Sequence, residues 1–149
     1  MQPYGPVVLR LAVGAVFVAH GAQKLLGVWG GGGLAGTAGF FTQLGLTPAF
    51  PLAVLVAVVE FVGGLMLIAG ALTLFAALAL AIDMAVAIWK VHLANGFFLP
   101  GGYEFGLTLI GALVALMLTG PGAFSVDGRR ARSAEARAYG RARLRAGNV

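Results

Sequence analysis

Six ionisable side chains lie inside or at the ends of long apolar stretches, and they are the side chains of this sequence best placed to do chemistry. They are His20, Lys24, Glu60, Asp83, Lys90 and Glu104. A charged group is costly in lipid and usually points into a helix bundle, so each is a candidate ligand or proton site. Imidazole, amine and carboxyl groups together could hydrogen-bond a polar ligand and relay its protons. The residue types alone assign no catalytic residue.

Glu60 is predicted to lie close to the middle of a membrane. It stands about 18 Å from the start of its apolar stretch, at 1.5 Å per residue. Ala57, Gly63 and Gly64 are its neighbours on one helical face, and small residues let another helix approach closely. A carboxylate at that depth must be paired or protonated, because an unpaired buried charge costs several kcal/mol.

Helical spacing predicts two ion pairs. His20 and Lys24 share one face, and Glu104 opens a later apolar stretch at the same level, which favours a pair between Lys24 and Glu104. Lys90 lies two turns after Asp83 on nearly the same face, and its side chain leans back toward that carboxylate. The alternative for all of these residues is structural, since polar groups in a membrane bundle often only hold one helix to another.

The two histidines, His20 and His92, do not indicate haem or a metal. Helix counting places them at different depths, which disfavours bis-histidine ligation of haem. The chain has no cysteine, which excludes thiol–disulfide chemistry and iron–sulfur ligation. We therefore predict no metal site.

Four apolar runs supply the elements that must position these groups. Each is close to the ~20 residues that a helix needs to span a bilayer, and they lie near residues 6–27, 48–70, 71–94 and 103–119. Of the 149 residues, 60% are hydrophobic and only 10% are charged, which is too little charge for a soluble domain. The predicted fold is all-α, a four-helix transmembrane bundle over residues 1–128. We expect the first run to remain as a span, because Arg10 lies inside it and no basic residue precedes it.

Glycines and prolines mark the connections between the runs. Glycines 30–33 predict a flexible loop, and residues 37–46 could form a short helix on the membrane interface. Gly70 leaves only a few residues between the second and third spans, which must therefore form a tight antiparallel hairpin. The last loop, residues 95–102, is longer and aromatic, as is typical of an interfacial belt.

The arginine-rich tail, residues 129–149, predicts the orientation of the chain. It holds seven of the ten basic residues, and such residues are enriched on the cytoplasmic side of membranes. An even number of spans then places both termini in the cytoplasm. Arg10 should snorkel to that side, with Asp127 as a partner. We expect the tail to fix orientation and touch anionic lipid, and not to bind nucleic acid.

Several of these residues stand in recognisable motifs. His20-Gly-Ala-Gln-Lys-Leu matches an HGxxKL pattern, and Glu60-Phe-Val-Gly-Gly matches a glutamate followed by paired glycines. The third span closes with a lysine, Glu104 opens the fourth, and Gly120-Pro-Gly-Ala-Phe-Ser-Val-Asp follows a GPGxxSxD pattern. In this order, over about residues 5–128, the motifs resemble the DoxX family of small four-helix bacterial inner-membrane proteins. The tail lies outside the resemblance.

The resemblance implies a multi-pass protein of the bacterial inner membrane and implies little about function, although some members of the family are linked to membrane oxidoreductase assemblies. Relatives of the DoxD type are membrane subunits of a thiosulfate:quinone oxidoreductase. The first hypothesis is therefore that the protein is a subunit of a quinone-linked membrane redox assembly, with a quinone as the candidate cofactor. It would then be at most a membrane subunit of an oxidoreductase and not an enzyme by itself. Its predicted partners are the lipid bilayer, a second redox subunit and a further copy of this chain.

Two other functions stay open from the sequence. In the first, the protein is a non-catalytic membrane scaffold whose buried charges only fix helix packing. In the second, it is a small proton-coupled transporter that acts as an oligomer, for which the carboxylates near the midplane are the motive.

Overall fold

The computed structural model describes residues 4–146, with side chains described as far as residue 139. This part of the chain is helical and contains no strand. Its α-helices are α1 (Gly5–Leu26), α2 (Gly33–Gln43), α3 (Ala49–Ala69), α4 (Thr73–Ala87), α5 (Glu104–Thr119) and α6 (Val126–Ala146). The prediction of an all-α fold is confirmed.

Four of these helices are apolar and correspond to the four predicted spans. Gly5–Leu26, Ala49–Ala69 and Thr73–Asn95 are long and apolar enough to cross a membrane. The third of these is α4 continued through a π-helical turn, Ile88–His92, and a short 3₁₀ turn. The fourth apolar helix, α5, has 16 residues and is about 24 Å long, a little shorter than a typical hydrocarbon core.

Glycines let α1 and α3 pack with their backbones almost in contact. A Cβ on Gly14 would lie 2.8 Å from the carbonyl oxygen of Gly64, and one on Gly64 would lie 2.7 Å from that of Gly14. A Cβ on Gly21 would meet the backbone of Phe61. The close approach predicted at the small-residue face of α3 is confirmed, and it is the usual basis of tight helix contacts in membranes.

The core lies along the axis of the bundle. Leu80 of α4 packs into the space above Gly63, where a Cβ would be 3.1 Å from the leucine Cγ. Gly106 of α5 faces Met84 and Ile88 of the third span in the same way. The largest fully buried apolar side chains are Phe17, Leu67, Leu80, Leu113 and Leu116.

The hairpin between α3 and α4 is as tight as predicted. Gly70 ends α3 with a φ of 63°, and the Ala71 N–H donates to the carbonyl of Met66 at 2.9 Å, which is the geometry of a glycine C-cap. A Cβ on Gly70 would collide with the guanidinium of Arg10. Glycine is therefore required here both by the backbone and by the neighbouring side chain.

Asp127 closes this end of the bundle by capping α4. Its carboxylate accepts the backbone N–H of Leu72 and of Thr73, and also the Thr73 hydroxyl, each at 2.9 Å. Burial raises the pKa of Asp127, but the hydrogen bonds from Thr73 and Leu72 outweigh it and hold the pKa below its ordinary value. The side chain thus satisfies free donors at the start of a helix.

Arg10 does not snorkel to the head groups, and this prediction is wrong. The side chain is buried, and its Nη2 donates to the carbonyls of Ala123 at 3.0 Å and Phe124 at 2.8 Å. It lies near Asp127, but its hydrogen bonds go to the backbone. The turn that follows α5 exposes free carbonyls, and a guanidinium satisfies two of them better than lipid would.

The two ends of the bundle differ in construction. We call the end formed by the α3–α4 turn, residues 120–127 and the start of α6 the arginine end. The opposite end, formed by α2 and by residues 96–103, we call the loop end. The predicted short helix exists as α2, beginning at Gly33 and packing on α1 and α3. The tail continues as α6, a helix that the sequence reading did not include.

Candidate functional site

Lys24 and Glu60 form an ion pair inside the loop end. The Lys24 Nζ lies 2.5 Å from the Glu60 Oε2, and the glutamate side chain is 6% exposed against 26% for the lysine. Gly21 brings α1 against α3 one turn before Lys24, so the amine reaches the carboxylate across the helix contact. The predicted pair of Lys24 with Glu104 is therefore wrong, because helix counting gave the level of Lys24 but not the close approach of α3.

Asp83 of α4 lies beside this pair. Its carboxyl is within hydrogen-bonding reach of the Glu60 carboxyl, and its Oδ2 is buried with no hydrogen-bond partner among residues 4–139. No direct ion pair with Lys90 forms in the described part of the chain. The Lys90 ammonium instead lies 4.0 Å from the centre of the Trp89 ring. Three ionisable groups, Lys24, Glu60 and Asp83, thus meet within the bundle.

These groups line a cavity of about 590 Å³ between α2, α3 and α4. Lys90 and His92 reach the same cavity from the end of the third span. Most of the remaining wall is apolar, and its large side chains are Phe40, Phe41, Leu44, Leu46, Leu52, Val56, Val86 and Val91. An apolar pocket of this size with a few convergent polar groups is typical of a small-molecule site.

A second cavity, of about 240 Å³, adjoins the first. It is lined by His20 and Phe17 of α1, by Phe105 and Leu109 of α5, and by the loop residues Leu99, Pro100 and Gly102. Four residues line both cavities: Lys24, Glu60, Ala87 and His92. The ion pair therefore stands on the boundary between a larger, aromatic cavity and a smaller one next to the loop.

His92 is a member of this site that the sequence reading did not select. It lies in the π-helical turn Ile88–His92. Such turns are rare in proteins overall, but those that occur are often found at functional sites. Its Nδ1 lies 3.0 Å from the carbonyl oxygen of Gly101, so Nδ1 carries the proton and Nε2 is the accepting nitrogen of the neutral ring. His20 and His92 line the same smaller cavity, although helix counting places them at different depths.

Glu104 has a structural role at the loop end. Its Oε1 accepts the backbone N–H of Leu99 at 2.8 Å, and its own N–H donates to the carbonyl of Phe97 at 2.9 Å. It lines neither cavity. The structure thus brings five of the six candidate residues together around the two cavities and uses the sixth to hold the loop above them.

The site contains no metal-ion cluster. Within the range that the structure describes, no three histidine, aspartate or glutamate side chains are grouped so that they could hold a metal ion. The carboxyls of Glu60 and Asp83 are neighbours of an ammonium, which already neutralises one charge. These carboxyl and ammonium groups can hydrogen-bond a ligand and exchange protons with it.

Comparison with known proteins gives a consistent family assignment. The DoxX family model matches residues 5–93. The chain is 32% identical over 123 residues to the Bacillus subtilis protein named "Putative oxidoreductase CatD", covering 83% of this chain and 84% of that protein. It is 31% identical over 131 residues to the Escherichia coli "Inner membrane protein YqjF", covering 85% and 92%. A Haemophilus influenzae "Uncharacterized protein" is 30% identical over 136 residues, covering 86% and 92%. No solved structure matches significantly.

Proposed function

This chain belongs to the DoxX family of membrane proteins, and we propose that its loop end binds the head group of a membrane quinone in the larger cavity. The observation that carries the proposal is the meeting of Lys24, Glu60 and Asp83 on the wall of an apolar, partly aromatic cavity inside a membrane bundle. The bound quinone serves a membrane redox assembly of which this chain is one subunit. The oxidoreductase name of one relative agrees with this role.

The residues of the cavity fit the chemistry of a quinone head group. A quinone carbonyl needs a donor, which the Lys24 ammonium supplies, and a quinol hydroxyl needs an acceptor. The Asp83 Oδ2 is buried with no partner in the described residues, and an unsatisfied buried oxygen gains the most from such a donor. The flat ring has the side chains of Phe40 and Phe41 to pack against.

The role of this chain in the reaction is to bind the ring and to hold its protons. A quinone takes up two electrons and two protons on becoming a quinol, and the electrons come from the partner subunit. Glu60 and Asp83 lie close enough to share a proton, so the pair can give up or accept one at the ligand. Lys24 keeps the remaining carboxylate charge neutralised inside the bundle.

The position of the cavity suits a ligand that arrives through the membrane. α2 packs on α1 and α3, whereas α4 packs on α3 and α5. The cavity lies between α2 and α4, so its open side faces the lipid between these two helices. A quinone's hydrocarbon tail would leave along this side while the ring stays near the carboxylates.

We propose that the arginine end faces the cytoplasm and the loop end faces the outer side of the inner membrane. Arg129, Arg130, Arg132 and Arg137 are exposed along α6, and cytoplasmic flanks carry such residues. The cavity then lies in the outer half of the bilayer. Protease added to intact spheroplasts should leave the tail uncut, and cleavage there would reverse this orientation.

The experiment that tests the quinone site uses two glycines of one helix. Gly36 and Gly39 are both exposed on α2, and a Cβ on either meets nothing within 4 Å, but only Gly36 lines the cavity. We expect Gly36→Leu to weaken binding of a short-tailed ubiquinone or menaquinone analogue by at least ~10-fold, about 1.4 kcal/mol. Gly39→Leu makes the same change in helix propensity and should bind like the wild type.

Binding is measured on detergent-solubilised protein by quenching of tryptophan fluorescence, together with extraction of bound quinone. Equal affinity of the two leucine variants would place the ligand elsewhere. The amide variants Glu60→Gln and Asp83→Asn supply a second arm. If both bind quinone as tightly as the wild type does, the buried carboxyls do not contribute to binding the ring and only fix helix packing.

A further inference from the structure

The smaller cavity contains a set of groups that binding a quinone ring does not use. It lies between α1, α5 and the loop over residues 99–102, and it carries two imidazoles, those of His20 and His92. Its boundary with the larger cavity is the Lys24–Glu60 pair. A cavity of about 240 Å³ with four polar side chains is roomy and polar enough to hold several water molecules.

We infer that the smaller cavity is a proton route between the ligand's carboxyl pair and the loop end, with His92 as its first carrier and His20 as its last. The inference rests on the proposed quinone site and adds the path that its protons take. His92 transfers protons only, and the electrons pass through the partner subunit. The protons and electrons of the quinone therefore leave by different routes.

The reaction balances with this division. When a quinol is oxidised it loses two electrons, which pass to the electron acceptor of the partner subunit, and two protons. Each proton passes to the carboxyl pair of Glu60 and Asp83, then to the Nε2 of His92, and from there through the cavity to the outside. Reduction of a quinone runs the same steps in reverse and takes up two protons.

The geometry of His92 suits the first step. Its Nδ1 donates to the carbonyl of Gly101 at 3.0 Å, which fixes the ring and leaves Nε2 as an acceptor. The ring lines both cavities, so it borders the ligand on one side and the smaller cavity on the other. A histidine whose orientation is set by one hydrogen bond is the usual form of a proton shuttle.

His20 suits the last step because it is both exposed on α1 and a wall of the smaller cavity.

The ionisable groups around the route are His20 and Lys24 of α1, Glu60 of α3, and Asp83, Lys90 and His92 of the third span. Glu104, at the start of α5, is held by the N–H of Leu99 in the loop above the cavity. The route thus runs from the buried carboxyls toward an exposed imidazole.

Two substitutions at one position separate proton transfer from loop support. In His92→Asn the amide can donate to Gly101 as Nδ1 does, but it cannot carry a proton at neutral pH. In His92→Phe both the hydrogen bond and the proton carrier are lost. Met84→Leu changes a wall of the same cavity without changing its charge and serves as the matched control.

The experiment follows protons directly. Detergent-solubilised protein loaded with a quinol analogue is mixed with ferricyanide, two ions of which take the two electrons, and a pH-indicator dye records proton release in a stopped-flow instrument. We expect proton release to slow by at least ~10-fold in both His92 variants, measured on protein saturated with the quinol analogue so that a change in affinity does not enter the rate. Excess imidazole in solution should restore part of the rate, and Met84→Leu should behave like the wild type.

Each other outcome has one meaning. If His92→Asn releases protons as fast as the wild type while only His92→Phe is slow, the histidine holds the loop and the proton route is wrong. If neither variant is slow, the protons leave elsewhere and the inference fails, although the quinone site stands. If no variant and no wild-type protein binds the analogue, the proposed function itself has failed.

Discussion

Removing the charge of Lys24 is the sharpest test of how the site is held together. Lys24→Met keeps the length of the side chain and deletes the ammonium that lies 2.5 Å from Glu60. The glutamate is then left 6% exposed with only the Asp83 carboxyl beside it. Breaking a buried ion pair from one side costs about 3–5 kcal/mol, and we expect about 3 kcal/mol because the lysine is partly exposed.

The double variant Lys24→Met/Glu60→Leu shows whether this cost comes from the unpaired charge. With both charges gone, the contact between α1 and α3 becomes apolar, and such replacements are often neutral or stabilising. We expect the double variant to regain about 2 kcal/mol of the loss caused by Lys24→Met, a coupling well above the ~0.5 kcal/mol of independent sites. Quinone binding should be lost in both variants, because each lacks the Lys24 donor.

The assay is reversible unfolding in mixed micelles with a rising fraction of sodium dodecyl sulfate, followed by circular dichroism. Lys90→Met is the matched control, because the Lys90 ammonium contacts the Trp89 ring and its loss should cost less than about 1 kcal/mol. The reasoning is refuted if Lys24→Met costs no more than Lys90→Met. It is also refuted if the effects of the two single variants at the pair simply add.

The arginine end supplies three further predictions. Gly70→Ala should destabilise the bundle by more than the ~1 kcal/mol expected for a φ of 63° alone, because the new Cβ meets Arg10. Gly27→Ala, whose Cβ has room, is the control in the same unfolding assay. Arg10→Lys should cost about 1–2 kcal/mol, since a single ammonium replaces a planar group that bonds two carbonyls. The lowered pKa of Asp127 means that the unfolded chain binds more protons than the folded one in acid. Asp127→Asn should therefore lower the free energy of unfolding by its full amount above the ordinary carboxyl pKa of 3.8. This difference from the wild type should vanish as the pH falls through the folded pKa.

The fold could be predicted from the sequence because its main determinants are local. Runs of apolar residues gave the spans, Gly70 gave the hairpin, and the neighbours of Glu60 gave the close packing of α3. Two features depend on tertiary contacts and were therefore missed. Arg10 is buried because the turn after α5 presents free carbonyls to it, and the π turn that ends at His92 cannot be read from spacing.

Which residues gather at the loop end could be predicted from the sequence better than which of them pair with one another. Helix counting identifies which side chains share a level, and five of the six candidates do gather at the loop end. It cannot say which helix comes nearest, so it matched Lys24 with Glu104 where the glycine contact of α1 and α3 selects Glu60. The sequence did hold one signal for His92, which follows the lysine that closes the third span and precedes a glycine-rich loop.

Membership of a family motif does not by itself give a residue a chemical role in this bundle. Asp127 and Glu104 both stand in the motifs, yet both carboxylates accept backbone N–H groups and so fix a turn or a loop. Lys24 and Glu60 stand in the motifs too, but they line two cavities. A carboxylate that is occupied by the backbone is not free to bind a ligand or exchange its proton. Substitutions at the first pair should therefore act through stability, and substitutions at the second pair should change binding even where the bundle remains folded.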